Sequence, residues 1–271
     1  MCGRYASARK RIELLEEFSV QRDQVTQPLA PDYNVAPTKP VYAVMDRAGR
    51  ASADGKPDED RAEIARELRV VRWGLVPPWA KDIKIGSRLI NARAETVHEK
   101  PSFRRAFARR RCLLPADGYY EWQVREEGAG EPGGTGGKKV KQPFFIHRAD
   151  SGPLAFAGLY ELWRDHAIPD GDPDAWLWTT TIITTTAPDE LGQIHDRMPM
   201  VISPESWADW LSPGHSDVSD LRALLTPAAA RGLASYPVST AVNSVRNNGP
   251  DLIEPVAAPL GPDPARWSDQ D

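Results

Sequence analysis

The sequence predicts one mixed α+β domain built mainly from short strands, and three observations predict it. Twenty-five prolines and twenty glycines in 271 residues punctuate the chain too often for a helical bundle. Segments rich in aromatic and β-branched residues recur along it. Helical apolar spacing occurs only in short runs.

The elements follow in order. Ile12, Leu15 and Phe18 lie on one face of a short amphipathic helix. Val41–Val44 and Leu68–Trp73 read as strands, with an exposed polar loop between them over 46–67. Phe103 and Phe107 face inward from a helix whose arginines, from Arg104 to Arg111, form a solvated face or a phosphate patch. Arg111–Leu114 reads as a buried strand, with Cys112 a small buried hydrophobe. The glycine-rich stretch within 126–142 reads as a hairpin tip; it lacks the Gly-Lys-Ser/Thr ending of a phosphate loop. Phe144–Ile146, Leu154–Leu159 and Trp176–Thr186 are further strands. Pro204–Leu211 and Ser219–Leu225 read as helices, the second capped by Ser219. One domain over 1–258 and a frayed tail over 259–271 are expected.

Composition excludes several classes. A formal net charge of −4 argues against coating nucleic acid by bulk electrostatics and leaves room for a local basic groove. No apolar run reaches the roughly 18 residues of a membrane span, and the start carries no secretory pattern. Two cysteines are too few for a disulfide framework, which fits a reducing cytoplasm. Apart from His195, the histidines His98, His147, His166 and His215 have no ligand-like spacing with one another or with either cysteine, so no metal is expected, and no cofactor.

Several segments place reactive side chains among turn residues. Cys2 follows the initiator Met and becomes N-terminal if Met1 is removed, giving a 1,2-aminothiol. Its α-amine has an ordinary pKa of roughly 7.7–8.0, so a useful fraction is neutral. A neutral amine forms an imine with an aldehyde, and the adjacent sulfur closes a thiazolidine ring; otherwise position 2 is only a tolerated small residue. Glu121, between aromatics in Asp117-Gly118-Tyr119-Tyr120-Glu121-Trp122, suits a general acid/base or a paired strand carboxylate. His195 follows the last long strand on a loop, beside Asp196 and Arg197, as an acid/base, a phosphate contact or a structural imidazole. Asn34 and Asn91 offer amides for a carbonyl or sugar hydroxyl, or for turns. Arg4 and Arg93 offer planar forks for phosphate, or a solvated surface. Trp73 and Trp79 bracket a proline-stiffened loop. Trp79 is the better exposed candidate for base stacking, and core packing is the alternative for both.

In this order, Met1-Cys2-Gly3-Arg4-Tyr5, Tyr33-Asn34-Val35-Ala36-Pro37-Thr38, Trp73-Gly74-Leu75-Val76-Pro77-Pro78-Trp79, Asn91-Ala92-Arg93-Ala94-Glu95-Thr96, Asp117–Trp122 and His195-Asp196-Arg197-Met198-Pro199 resemble the SOS response-associated peptidase (SRAP) family of abasic-site processing proteins. Val242–Pro250 extends the resemblance to about Val256. The resemblance implies a compact α+β domain around a curved, mainly antiparallel sheet or barrel with peripheral helices. It implies Cys2 as nucleophile after loss of Met1, with Asn91, Glu121 and His195 as catalytic partners. It implies DNA contacts from Arg4, Asn34, Pro37, Thr38, Trp79 and Arg93. The implied activity is a covalent thiazolidine link to the aldehyde of an abasic site in single-stranded DNA, with some lyase activity, by a monomer in the cytoplasm that associates with the nucleoid when bound to DNA. A cysteine peptidase using Cys2, His195 and Glu121 is the main alternative. A non-catalytic nucleic-acid binding module, in which Cys2 is dispensable, is a third.

Overall fold

A computed structural model describes residues 2–48, 64–127, 138–169, 171–226 and 232–256. The expected tail over 259–271, the centres of both decorated loops and Met1 lie outside these residues.

Thirteen strands are described: β1 (Tyr5–Ser7), β2 (Arg22–Asp23), β3 (Asp32–Val35), β4 (Pro40–Ala48), β5 (Ile64–Trp73), β6 (Asn91–Arg93), β7 (Arg111–Ala116), β8 (Gly118–Glu127), β9 (Lys138–Arg148), β10 (Leu154–Arg164), β11 (Trp176–Thr186), β12 (Arg197–Pro199) and β13 (Leu233–Pro237). Five short α-helices accompany them: α1 (Arg11–Glu17), α2 (Arg104–Arg109), α3 (Asp189–Gly192), α4 (Trp207–Leu211) and α5 (Val218–Ala223). Among the described residues no helix is long and apolar enough to cross a membrane.

The strands form two sheets. In the larger, neighbours run β12-β11-β10-β7-β4-β5-β2, and β11 also pairs with β5, at Thr179–Arg72 and Thr180–Trp73. That pairing closes β11, β10, β7, β4 and β5 into a five-stranded barrel, which removes the exposed edges an open sheet would carry. The smaller sheet runs β13-β9-β8-β1-β3. Most pairings are antiparallel, as the resemblance implies; β11 with β5, β11 with β6 and β2 with β5 are parallel.

Strand alternation sorts the core into two faces. Val41, Ala43, Met45, Cys112, Leu114, Phe156, Tyr160 and Ile182 share one buried cluster with Cys2, Tyr5 and Tyr119. Their alternates Tyr42, Val44, Leu113, Ala155, Ala157, Leu159 and Ile183 pack with Phe107 of α2 and Trp210 of α4. The helix-covered face is the outside of the barrel, so the first cluster fills its interior. Cys2, Tyr5 and Tyr119 bring the smaller sheet across one mouth.

Several expectations are corrected. The loop over 46–67 is shorter than its polarity implies. β4 runs through Ala48 and β5 begins at Ile64, with Asp46 opposite Arg66. Their ion pair, at 2.9 Å, lets charged residues continue the ladder. Likewise β8 and β9 continue as a hairpin to the Glu127–Lys138 pair, leaving 128–137 outside the described residues. Asp217, not Ser219, caps α5, accepting hydrogen bonds from the Ser219 and Asp220 N–H groups. Arg111 is not part of a solvated face. It is buried on β7, where its guanidinium donates to the carbonyls of Phe107, Trp210, Ser212 and His215.

Candidate active site

The chain start is threaded between strands. Tyr5 pairs with Val35 of β3 on one side and Tyr119 of β8 on the other, which draws Cys2 into the core at the barrel mouth, wholly buried. Gly118 is required where β8 begins: a Cβ there would lie 2.4 Å from Phe145 Cζ and 2.6 Å from the Ile146 carbonyl oxygen. Burial pushes the Cys2 thiol well above its ordinary range, and the Glu121 carboxylate adds to the rise.

Asn91 reaches the same place from the opposite side. It opens β6, which is aligned by parallel pairing with Ile182 of β11. Its side-chain N–H donates to the Cys2 carbonyl at 2.8 Å. Its Oδ1 is buried and accepts no hydrogen bond among the described residues.

Glu121 lies on β8, two residues beyond the Tyr5 partner Tyr119, and is almost fully buried. Burial pushes its carboxyl up to about 7. His195 sits on the loop between α3 and β12, with Nε2 3.9 Å from Glu121 Oε2. Two neighbours compete for its Nδ1: the Arg197 backbone N–H donates to it at 2.9 Å, and the Asp196 carboxylate also lies 2.9 Å away. One atom cannot accept from the first and donate to the second. Burial lowers the imidazole pKa, and the Asp196 side chain is largely solvent-exposed. The neutral ring, protonated at Nε2 and facing Glu121, is therefore the consistent form. The Gln123 side chain donates to the Gln193 carbonyl and ties this loop to β8.

Arg4 and Asn34 form one unit. Arg4 Nη1 donates to Asn34 Oδ1 at 2.7 Å and to the Val242 carbonyl at 2.9 Å, and the guanidinium lies over the Trp122 ring. The Asn34 amide donates to the carbonyls of Val242, Ser244 and Asn247. Asn34 is completely buried, so its side chain holds the 242–247 segment in place and presents no surface to a ligand. Arg93 is exposed at the end of β6, opposite Thr184. Pro37 and Thr38 form a half-buried turn in which Thr38 has φ 73°, stabilised by the Thr38 N–H donating to the Trp73 carbonyl. Trp73 is core, edge-on to Tyr5, whereas Trp79 is 59% exposed.

The structure therefore brings Cys2, Asn91, Glu121 and His195 to one barrel mouth and Arg4 with Asn34 beside it. Arg93, the Pro37–Thr38 turn and Trp79 stand on separate segments. Sequence reasoning gave Arg197 no role of its own. Its guanidinium grips Glu95 with bonds of 2.7 and 3.1 Å and donates to the Thr184 carbonyl, and this bond holds the Glu95 carboxyl below its usual range. Glu95 and Arg197 each lie inside a motif segment, so the available signal was two opposite charges in two ordered motifs.

A buried cysteine beside a carboxylate, a neutral imidazole and an amide, at the mouth of a closed barrel, defines a class of site suited to covalent chemistry with an electrophile. Residues 1–245 match the family described as SOS response associated peptidase (SRAP), and the chain belongs to that family. It is 39% identical to the abasic site processing protein YoqW of Bacillus subtilis (strain 168), over 94% of this chain and 99% of that protein. It is 32% identical to the abasic site processing protein YedK of Escherichia coli (strain K12), over 94% and 100%. A crystal structure of a Bacteroides thetaiotaomicron protein superimposes with a TM-score of 0.70 at 26% identity, over 94% of this chain and all of the other.

Proposed function

We propose that this chain processes abasic sites by bonding Cys2 covalently to the ring-opened aldehyde in single-stranded DNA. The convergence of Cys2, Asn91, Glu121 and His195 at one mouth carries the reading, and the names of the relatives agree with it. Removal of Met1 exposes the Cys2 amine. The neutral amine attacks C1′ of the deoxyribose, and loss of water leaves an imine. The sulfur then adds to the imine carbon and its proton passes to the nitrogen, closing the thiazolidine. Burial and Glu121 both disfavour the Cys2 thiolate, which fits an order in which the amine reacts first and the sulfur second. Glu121, titrating near 7, is poised to give a proton to the departing water and to take one from the thiol. His195 serves sugar ring opening and, in reverse, opening of the adduct. Asn91 orients the sugar through its free Oδ1.

Arg4 and Arg93 hold flanking phosphates, while Pro37, Thr38 and Trp79 wedge or stack between bases. Asn34 contributes by fixing Arg4. A cysteine peptidase would need a lowered thiol pKa, whereas burial and Glu121 both push Cys2 upward. The test is a denaturing gel after incubation with an oligonucleotide carrying one abasic site. A shifted band is expected with the native chain and none with Cys2→Ala. An equal band with Cys2→Ala would sink both the chemistry and the role of Cys2.

A further inference from the structure

Three elements meet at one carbonyl beside the reactive mouth. β6 and β12 both pair with β11. The Thr184 carbonyl on β11 accepts from the Ala94 N–H at 2.9 Å and from Arg197 Nη2 at 2.7 Å. The first bond places Glu95, just past β6, against the first residue of β12, Arg197.

Arg197 joins this hub to His195. Its side chain is largely buried, and its fork closes on both oxygens of Glu95, which fixes direction as well as distance. Its backbone N–H donates to His195 Nδ1 at 2.9 Å. That donation makes Nδ1 an acceptor and leaves the ring proton on Nε2, the nitrogen facing Glu121. The exposed Asp196 carboxylate, 2.9 Å from the same Nδ1, offers the competing arrangement, in which Nδ1 carries the proton. Which arrangement holds depends on where the Arg197 N–H points. The ladder gives little help in aiming it. β12 pairs with β11 at three positions and ends on Pro199, which has no N–H.

We propose that Glu95 is a positioning residue for the reaction: by clamping Arg197 it aims the Arg197 N–H at His195 and holds the imidazole with its proton on Nε2. The inference rests on the reading of the mouth as an abasic-site centre. Glu95 acts there through His195 and meets no reacting atom itself.

The experiment pairs histidine NMR on the DNA-free chain with the reversal rate of the purified adduct. In the native chain the His195 ring-nitrogen shifts should report one neutral form, protonated at Nε2. Glu95→Ala truncates a half-exposed side chain and leaves the core untouched. It should give a mixture of the two neutral ring forms and slow reversal about tenfold. Glu95→Gln keeps one acceptor for the fork and should fall between. Glu99→Ala removes a carboxylate that pairs with His98 instead, and should match the native chain. Glu95→Ala/His195→Ala should reverse no more slowly than His195→Ala alone, because the two residues act as one unit. A purely structural role for Glu95 would multiply the two losses. A native ring form or a native reversal rate in Glu95→Ala overturns the proposal; so does a multiplied loss in the double variant. A native chain that forms no adduct refutes the mouth chemistry, and the ring forms seen by NMR still decide whether Glu95 holds His195.

Discussion

At the scale of single residues, Glu121 is the group on which proton transfer turns in the proposed reaction. Its carboxyl is raised from an ordinary 4.5 to about 7 by burial. The folded value lies above the unfolded one, so stability tied to the neutral form is complete below about pH 4.5 and is lost as pH rises through 7. Glu121→Gln removes the buried carboxylate. The variant should be more stable than the native chain by about 2 kcal/mol near pH 8, with the advantage gone near pH 4. Thermal melts across pH check this, and an advantage independent of pH would contradict the burial of an ionisable group. The same variant should lose the neutral-pH inflection in crosslinking rate. His195→Ala should slow reversal of the purified adduct by about 100-fold, read as released DNA on a denaturing gel. An unchanged rate would refute a role for the imidazole. The sequence alone singled out Cys2, Glu121, His195 and Asn91, because each stands in a short motif among turn residues. It did not separate Asn34 from the ligand-facing residues. An asparagine that bonds three carbonyls more than 200 positions away has the same local signature as one that meets a substrate.

At the scale of elements, the long strands were legible and most of their ends were not, and the short strands β1, β2, β3, β6, β12 and β13 were not read as strands at all. Trp176–Thr186 is read correctly to the residue, since aromatic and β-branched types fill it. The β4–β5 and β8–β9 hairpins outrun their apolar centres because cross-strand charge pairs such as Asp46–Arg66 carry the ladder into polar sequence. The cap of α5 was misplaced by two residues because Asp217 and Ser219 are both capping types. The close approach of the Gly74 and Gly86 backbones, where a Cβ on Gly86 would lie 2.6 Å from the Gly74 carbonyl oxygen, was not legible at all. Gly86→Ala forces these backbones apart and should cost about 1–3 kcal/mol, measured by urea denaturation. A neutral substitution would show that the two segments do not approach as described.

At the scale of the whole molecule, barrel closure and the threaded N-terminus make one assembly. Phe156 stands edge-on to both Tyr5 and Tyr119 inside the barrel. Phe156→Ala should destabilise the fold by about 3–5 kcal/mol and slow crosslinking as well, because the same cluster seats Cys2. Equal crosslinking at a lowered melting temperature would separate the core from the site. Closure rests on β5 meeting β11 in parallel, two segments far apart in sequence whose periodicity gives no hint of their pairing. The central claim is that one residue supplies both nucleophiles. The most direct measurement is the intact mass of the purified adduct, with the linked residue located by digestion. The expected mass is the chain without Met1 plus the abasic oligonucleotide, less one water, with Cys2 as the modified residue. An adduct that retains Met1, or that maps to a lysine, would contradict it.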